Sequence, residues 1–222
     1  MLDKVKVVVI DSGLNGDDDQ LKKYILHSIE MKEDKGGKIQ LMTEFQCTHI
    51  HGTVIANCIR SVCDEVQFID ISILNSKLMS SSKLLIAALK YCMKFSPNVV
   101  NLSLGTVKKI HFIKLKRIIN ELNNRNIIVI CSVDNENKKT YPASFKNVIG
   151  VKSSTNLAET QIKYIDKYFY TSGIYSYDNN ERKETYEGNS IATAYVTGSV
   201  CKLIQKSNIK LDINDIKDIM KN

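Results

Sequence analysis

Three short strings hold the residues with the most chemistry in this chain. Asp11-Ser12-Gly13 follows an apolar run. His51-Gly52-Thr53 opens a segment with helical apolar spacing, and Gly188-Asn189-Ser190 opens another. They supply a carboxylate, an imidazole and a hydroxyl in the chain order acid, base, nucleophile, one of the orders found for acyl transfer by an activated serine. Each also has a plainer meaning. An aspartate before Ser-Gly commonly forms a turn, and a serine or histidine at a helix start commonly caps it. Asn135 has the same double character. It is a turn asparagine by its neighbours Asp134 and Glu136, or a side-chain amide that completes an oxyanion hole with the Ser190 N–H.

The elements around these residues are compatible with the chemical meaning, but residue by residue they do not displace the plainer one. Lys4–Ile10 is a continuous β-branched run that suits a strand buried on both faces. Asp11 then stands at its carboxyl end, where functional side chains gather in open α/β sheets. His51–Cys63 reads as a helix with Val54, Ile55, Cys58, Ile59 and Val62 inward. The positive end of that helix disfavours the imidazolium, so a neutral His51 ready to act as a base is expected. Ser190 begins a helix of small residues, SIATAYVTGSV, that runs to about Lys206, and its N–H there is free to donate to a developing oxyanion.

Further elements alternate. Strands are expected at Val66–Leu74, Asn98–Leu102, Ile127–Cys131 and Val148–Val151. Helices are expected from Ser80–Ser82 to about Phe95, ended by Pro97, over Phe112–Asn124, and from about Asp212. Asp17–Asp34 reads equally as helix or strand, and Gln161–Glu187 reads as hairpins. The pattern implies an α/β fold, a doubly wound, mostly parallel sheet with helices on both faces. Residues 1–222 read as one compact domain, with no linker, pro-segment or signal peptide evident.

Composition removes other classes. The net charge is +7, from 31 Lys and Arg against 24 Asp and Glu, but the lysines are scattered and no aromatic-basic platform for nucleic acid is present. No apolar run reaches the ~18 residues of a membrane span. The six cysteines Cys47, Cys58, Cys63, Cys92, Cys131 and Cys201 form no CxxC pair, which suits reduced thiols in a cytoplasmic protein. Cys47, His49 and His51 make a C-x-H-x-H string with no second ligand cluster, and Asp17-Asp18-Asp19 reads better as a solvated capping run than as a cation site. No metal and no cofactor are expected. The glycine fingerprints of nucleotide-binding folds are absent.

Taken together, the strings are specific. The chain resembles the subtilisin-like serine proteases (subtilases). VKVVVIDSG, HGTVIA and GNSIATAYVTG are similar to that family's aspartate, histidine and serine motifs, NVVNLSLG to its substrate-groove strand, and IVICSVDN with YPASFKNVIGV to its oxyanion segment. The resemblance runs from Lys4 to about Leu203. It implies a serine endopeptidase in which Ser190 attacks, His51 transfers the proton, Asp11 orients the imidazole, and Asn135 with the Ser190 N–H holds the oxyanion. Ser103, Leu104 and Gly105 would pair with a peptide or protein substrate bound as an extended strand. Three positions depart from the family pattern: Asp134 stands where glycine is usual, Asn189 where threonine is usual, and Ala194 where proline is usual. Asp134 either faces solvent or lines the first specificity pocket, where it would favour a basic side chain. An intracellular processing protease is the expected function. A catalytically silent binding protein of the same fold is the alternative that Asp134 and Asn189 keep open.

Overall fold

The structure, a computed structural model, describes residues 4–16, 18–47, 49–107, 109–134, 139–159, 161–178, 183–207 and 209–221. The central layer is a sheet whose strands are β1 (Val5–Asp11), β2 (Ile25–Glu33), β3 (Ile39–Met42), β4 (Val66–Ser72), β5 (Val99–Leu102), β6 (Ile128–Ser132), β7 (Ile149–Ser153), β8 (Lys163–Ile165) and β9 (Tyr168–Thr171). Their spatial order is β3-β2-β4-β1-β5-β6-β7-β9-β8. Pairing is parallel from β2 across to β9, and antiparallel only where β3 and β8 close the two edges. A separate hairpin joins β10 (Ile174–Asp178) to β11 (Lys183–Glu187).

Strand β1 shows why the sheet is covered on both sides. Val7 and Val9 enter one apolar cluster, with α2 (His51–Val62) and α5 (Asn189–Lys206). Val8 and Ile10 enter the other, with α3 (Ser82–Cys92) and α4 (Phe112–Asn124). Alternate side chains point to opposite faces, so a strand apolar at every position must be buried on both. The doubly wound reading therefore holds. The Asp17–Asp34 ambiguity resolves into both alternatives, a short helix α1 (Asp19–Lys22) and then β2. The C-terminal helix α6 is Ile213–Lys221. Among the described residues no helix is long and apolar enough to cross a membrane.

The sense in which strands are added changes at β1, while the strands themselves stay parallel. From it the sheet grows one way through β4 and β2, and the other way through β5, β6 and β7. In an open parallel sheet such a switch point leaves a crevice beyond the strand's carboxyl end. Asp11 is the last residue of β1.

Two buried polar features tie the core to that crevice. Thr197, wholly buried in α5, donates its hydroxyl to Asn101 Oδ1 in β5 at 2.8 Å, and Asn101 Nδ2 reaches Ser103 Oγ at 3.3 Å. Asp70, wholly buried in β4, accepts from Leu14 N–H at 3.0 Å and lies 2.5 Å from Ser28 Oγ. Its other oxygen has no hydrogen-bond partner. Burial pushes this carboxyl up to about 7, the bonds from Ser28 and Leu14 pull it down, and the Asp11 charge pushes it further up.

These features generate two expectations. Thr197→Val leaves the buried Asn101 oxygen without its donor, and should lower stability by about 1–3 kcal/mol in a urea unfolding curve. For Asp70 the folded value lies above the unfolded one, so its contribution is fully present below pH ~4 and is lost as pH rises through ~7. Asp70→Asn keeps an acceptor for Leu14 and cannot ionise. Its stability relative to wild type should therefore rise by roughly 1.4 kcal/mol per pH unit over that window and level off above it. A difference that does not change between pH 5 and 7.5 would show that Asp70 titrates as an ordinary carboxylate.

Candidate active site

Asp11 has no exposed surface, and its Oδ1 accepts the backbone N–H of Ser12 at 2.7 Å. The same oxygen lies 2.7 Å from Nδ1 of His51, whose side chain is 17% exposed. Asp11 Oδ2 is buried with no hydrogen-bond partner among the described residues. The carboxylate's charge is thus concentrated on the imidazole and one amide.

The approach of α2 to β1 makes this contact possible. Gly52 sits so close to the β1 end that a Cβ there would lie 2.5 Å from the Gly13 carbonyl oxygen, so any side chain at 52 would push His51 off Asp11. Ser12 Oγ stitches the junction by donating to the His49 carbonyl at 2.9 Å and accepting the Gly52 N–H at 3.1 Å. His49 Nδ1 accepts the His51 N–H at 3.1 Å. The C-x-H-x-H string is accordingly used within the loop, with the Cys47 thiol turned to the His49 and Gly13 carbonyls. Asp18 caps α1 through the Gln20 and Leu21 N–H groups and accepts from Tyr177. Asp17 lies outside the described residues.

The net shift at His51 runs opposite to the helix-terminus effect read from sequence. Burial pulls the imidazole down, but the Asp11 charge and hydrogen bond outweigh it, and the net direction is up. The helix N-terminus was expected to keep the ring neutral. The carboxylate at 2.7 Å is closer than the diffuse helix dipole and dominates it.

Ser190 is the second residue of α5, so its N–H has no intrahelical acceptor. Gly188 precedes the helix at φ 128°, a conformation only glycine adopts readily, and its N–H bonds the Gly173 carbonyl at 2.9 Å. Asn189 anchors the turn. Its Oδ1 accepts from Ser153 N–H at 2.7 Å and Ser153 Oγ at 2.9 Å, and its Nδ2 donates to the Val133 carbonyl at 2.9 Å. One side chain thereby joins the start of α5 to the ends of β6 and β7. Ala194, where proline was usual, is fully buried in the helix.

The Ser190 hydroxyl donates to the Ser103 carbonyl at 3.4 Å and makes no hydrogen bond to His51. Ile10 is in register with Leu102 on adjacent parallel strands, so Ser103 emerges beside Asp11, one strand spacing of ~4.8 Å away. Ser190 therefore sits at the same end of the sheet as the Asp11–His51 pair. A cleft of about 210 Å³ opens there, lined by Ser103, Leu104, Gly105, Asp134 and Ser190 together with Leu78, Ser132, Val133, Thr140 and Asn189. The groove residues expected from sequence thus share one cavity. Asp134 is its one ionisable group among the described lining residues. Asn135 lies outside the described residues.

Several positions with a structural hand in the site were not foreseen: Ser12, Asn101, Thr197, Asp70 and the anchoring role of Asn189. Three of them, Asn101, Thr197 and Asp70, are polar residues inside otherwise apolar strands or a buried helix. That interruption is the signal that could have found them.

The chain matches the model of the Subtilase family over residues 3–222. It is 25% identical over 215 residues to the major intracellular serine protease of Bacillus subtilis (strain 168), across 88% of this chain and 67% of that protein. It is 23% identical over 227 residues to an intracellular serine protease of Paenibacillus polymyxa, across 94% and 69%. Among solved structures, a cold adapted subtilisin-like serine proteinase superposes with a TM-score of 0.76 at 17% identity, covering 98% of this chain and 81% of that one. A lanthipeptide protease superposes with a TM-score of 0.74 at 20% identity, covering 97% and 78%. By its match along almost the whole length and by its fold, the chain belongs to the subtilase family of serine-type endopeptidases.

Proposed function

We propose that this protein hydrolyses peptide bonds inside the cell through Ser190, His51 and Asp11, acting on an extended segment of a protein or peptide substrate. The observation that carries the reading is the 2.7 Å contact between Asp11 Oδ1 and His51 Nδ1, made at the sheet's switch point beside the cleft that holds Ser190. Both relatives compared above are named as intracellular proteases. The six free cysteines suit a reducing compartment.

The chemistry follows from the donors and acceptors. Substrate pairs its backbone with the Ser103–Gly105 segment as an added strand. The Ser190 hydroxyl turns from the Ser103 carbonyl toward His51 Nε2 and loses its proton there as Oγ bonds to the scissile carbonyl carbon. Hydrogen bonds of this kind are often unformed before substrate arrives. Asp11 holds the Nδ1–H tautomer and stabilises the imidazolium. The carbonyl oxygen, now anionic, accepts from the unpaired Ser190 N–H, with the Asn135 amide as the second donor in this reading. His51 returns its proton to the departing amine, and water repeats the sequence on the acyl group. The side chain next to the scissile bond faces Asp134, so a lysine or arginine is preferred there.

A fluorophosphonate probe should label the protein at Ser190, and Ser190→Ala and His51→Ala should abolish labelling. A folded protein that takes no label would instead support the catalytically silent binding protein. Deprotonation of the imidazolium should raise kcat/KM with pH, with a midpoint above the ordinary 6.5. Asp11→Asn removes the charge and leaves the burial, so that midpoint should fall while kcat drops roughly 10⁴-fold. Asp134→Asn should lower kcat/KM for Lys or Arg before the scissile bond by roughly 10- to 100-fold, with leucine substrates little changed. Equal losses on both substrates would remove Asp134 from specificity.

A further inference from the structure

Past Gly105 the chain leaves the cleft wall and forms a ridge of unusual composition. Val107, Ile110 and Ile113 are 49%, 79% and 66% exposed. Single exposed aliphatics are ordinary; three within seven residues are a local concentration of exposed apolar side chains. In α4 the buried side chains are Leu115, Ile118, Ile119 and Leu122. At ~100° per residue Ile113 and Arg117 fall opposite that stripe, with Lys114 and Lys116 on the two shoulders. All four are exposed, as is Lys109. None of Lys109, Lys114, Lys116 and Arg117 has an ion-pair partner among the described residues. No Asp or Glu occurs between Thr106 and Asn120.

The ridge is continuous with the cleft. Leu104 and Gly105 line the cleft. Thr106 exchanges two backbone hydrogen bonds of 2.9 Å with Tyr141. The Tyr141 ring packs edge-on against Phe112 with centroids 4.8 Å apart, and Leu104 and Phe112 flank the same apolar cluster. The Ser190 hydroxyl touches Ser103, so the chain passes in direct sequence from the reacting centre, through the cleft wall and Thr106, to the exposed aliphatics.

We propose that the surface carrying Val107, Ile110, Ile113, Lys114 and Arg117 is an accessory substrate-binding site. It docks an acidic, amphipathic segment of the substrate, apolar residues interleaved with Asp and Glu, several residues away from the scissile bond. The inference rests on the reading of the cleft as the substrate groove. The aliphatic crest takes the apolar side chains and the unpaired cations take the carboxylates. A second copy of this chain would bring an equally cationic ridge and is disfavoured by like charge.

The test compares peptides with identical residues around the scissile bond. One is short, and two carry an acidic amphipathic extension on one flank or the other. One extended peptide should show a KM about tenfold below that of the short one with kcat little changed, and the gain should shrink with added salt. Ile110→Glu with Ile113→Glu, and separately Lys114→Glu with Arg117→Glu, should erase the gain. Both should leave kcat/KM for the short peptide within about twofold, because all four side chains are exposed and outside the cleft. Equal KM values for short and extended peptides, or a gain that survives both variants, would overturn the proposal. So would co-sedimentation with anionic lipid vesicles without any preference for extended peptides, which would assign the ridge to a membrane. Should no peptide be cleaved, the reading of the cleft fails separately. Fluorescence anisotropy of the labelled extension on Ser190→Ala then decides the ridge: binding lost in Ile110→Glu/Ile113→Glu supports it, and no binding ends it.

Discussion

A carboxylate with no exposed surface is held between a backbone amide and an imidazole, and much of this molecule is arranged to keep it there. Asp11 loses its hydration by burial, and only Ser12 N–H and His51 Nδ1 offset that loss. The second oxygen has no hydrogen-bond partner among the described residues. Such a site tolerates little displacement, because a longer contact to His51 leaves an uncompensated charge in the core. The neighbouring devices all act on that one distance. The parallel pairing of β1 with β4 and β5 fixes the strand end, Ser12 Oγ bridges the two loops, and Gly52 lets the α2 start press against Gly13. Asp70, on the same face of the next strand, holds the turn after β1 through Leu14 N–H. Its carboxyl, pushed up to about 7, avoids a second full negative charge beside Asp11 as pH falls below neutral.

How far the sequence disclosed this arrangement depends on the kind of interaction. Strands such as Val5–Asp11 were legible because burial on both faces demands an unbroken apolar run, and α4 because its apolar residues keep helical spacing. Strand β3 was not seen, for Ile39–Met42 lies at an edge with its side chains mostly exposed, and so has no pattern to impose. The stretch before it looked like helix and strand at once because it contains a single helical turn followed directly by β2. Polar side chains inside the core were harder. Asn101, Thr197 and Asp70 satisfy partners far away in the chain, and nothing local says which. The direction of the His51 shift was misjudged for a related reason. The helix dipole is a local property legible from sequence, whereas the competing carboxylate arrives from forty residues earlier.

Departures from the family pattern are informative about how a motif can change while its geometry stays. Asn189 replaces the usual threonine and spans the Val133 carbonyl and both donors of Ser153. An amide carries donor and acceptor at once, so it can brace the start of α5 to two strands where a hydroxyl reaches fewer partners. The helix behind it is buried at every residue from Ile191 to Gly198. Ser190 therefore stands on a rigid element whose neighbours cannot easily yield, which is the placement that positional precision requires.

The charge layout around the cleft suggests how direction along a substrate is set. Asp134 is the ionisable group of the described cleft lining, and the cationic ridge begins just beyond Gly105. Asp134 lies in the cleft with Ser190, and the basic residues lie outside it. A peptide with a basic residue at the reacting bond and an acidic stretch on the matching flank meets complementary charge in only one orientation. The reversed peptide keeps its cation at Asp134 but carries its carboxylates away from the lysines, and so loses the second attraction. Backbone pairing along a short strand is indifferent to side chains, so it cannot choose a cleavage site by itself. On the proposed reading, opposite charge at Asp134 and at the accessory site would supply that choice without reshaping the catalytic residues, and would let a small cleft select from a distance.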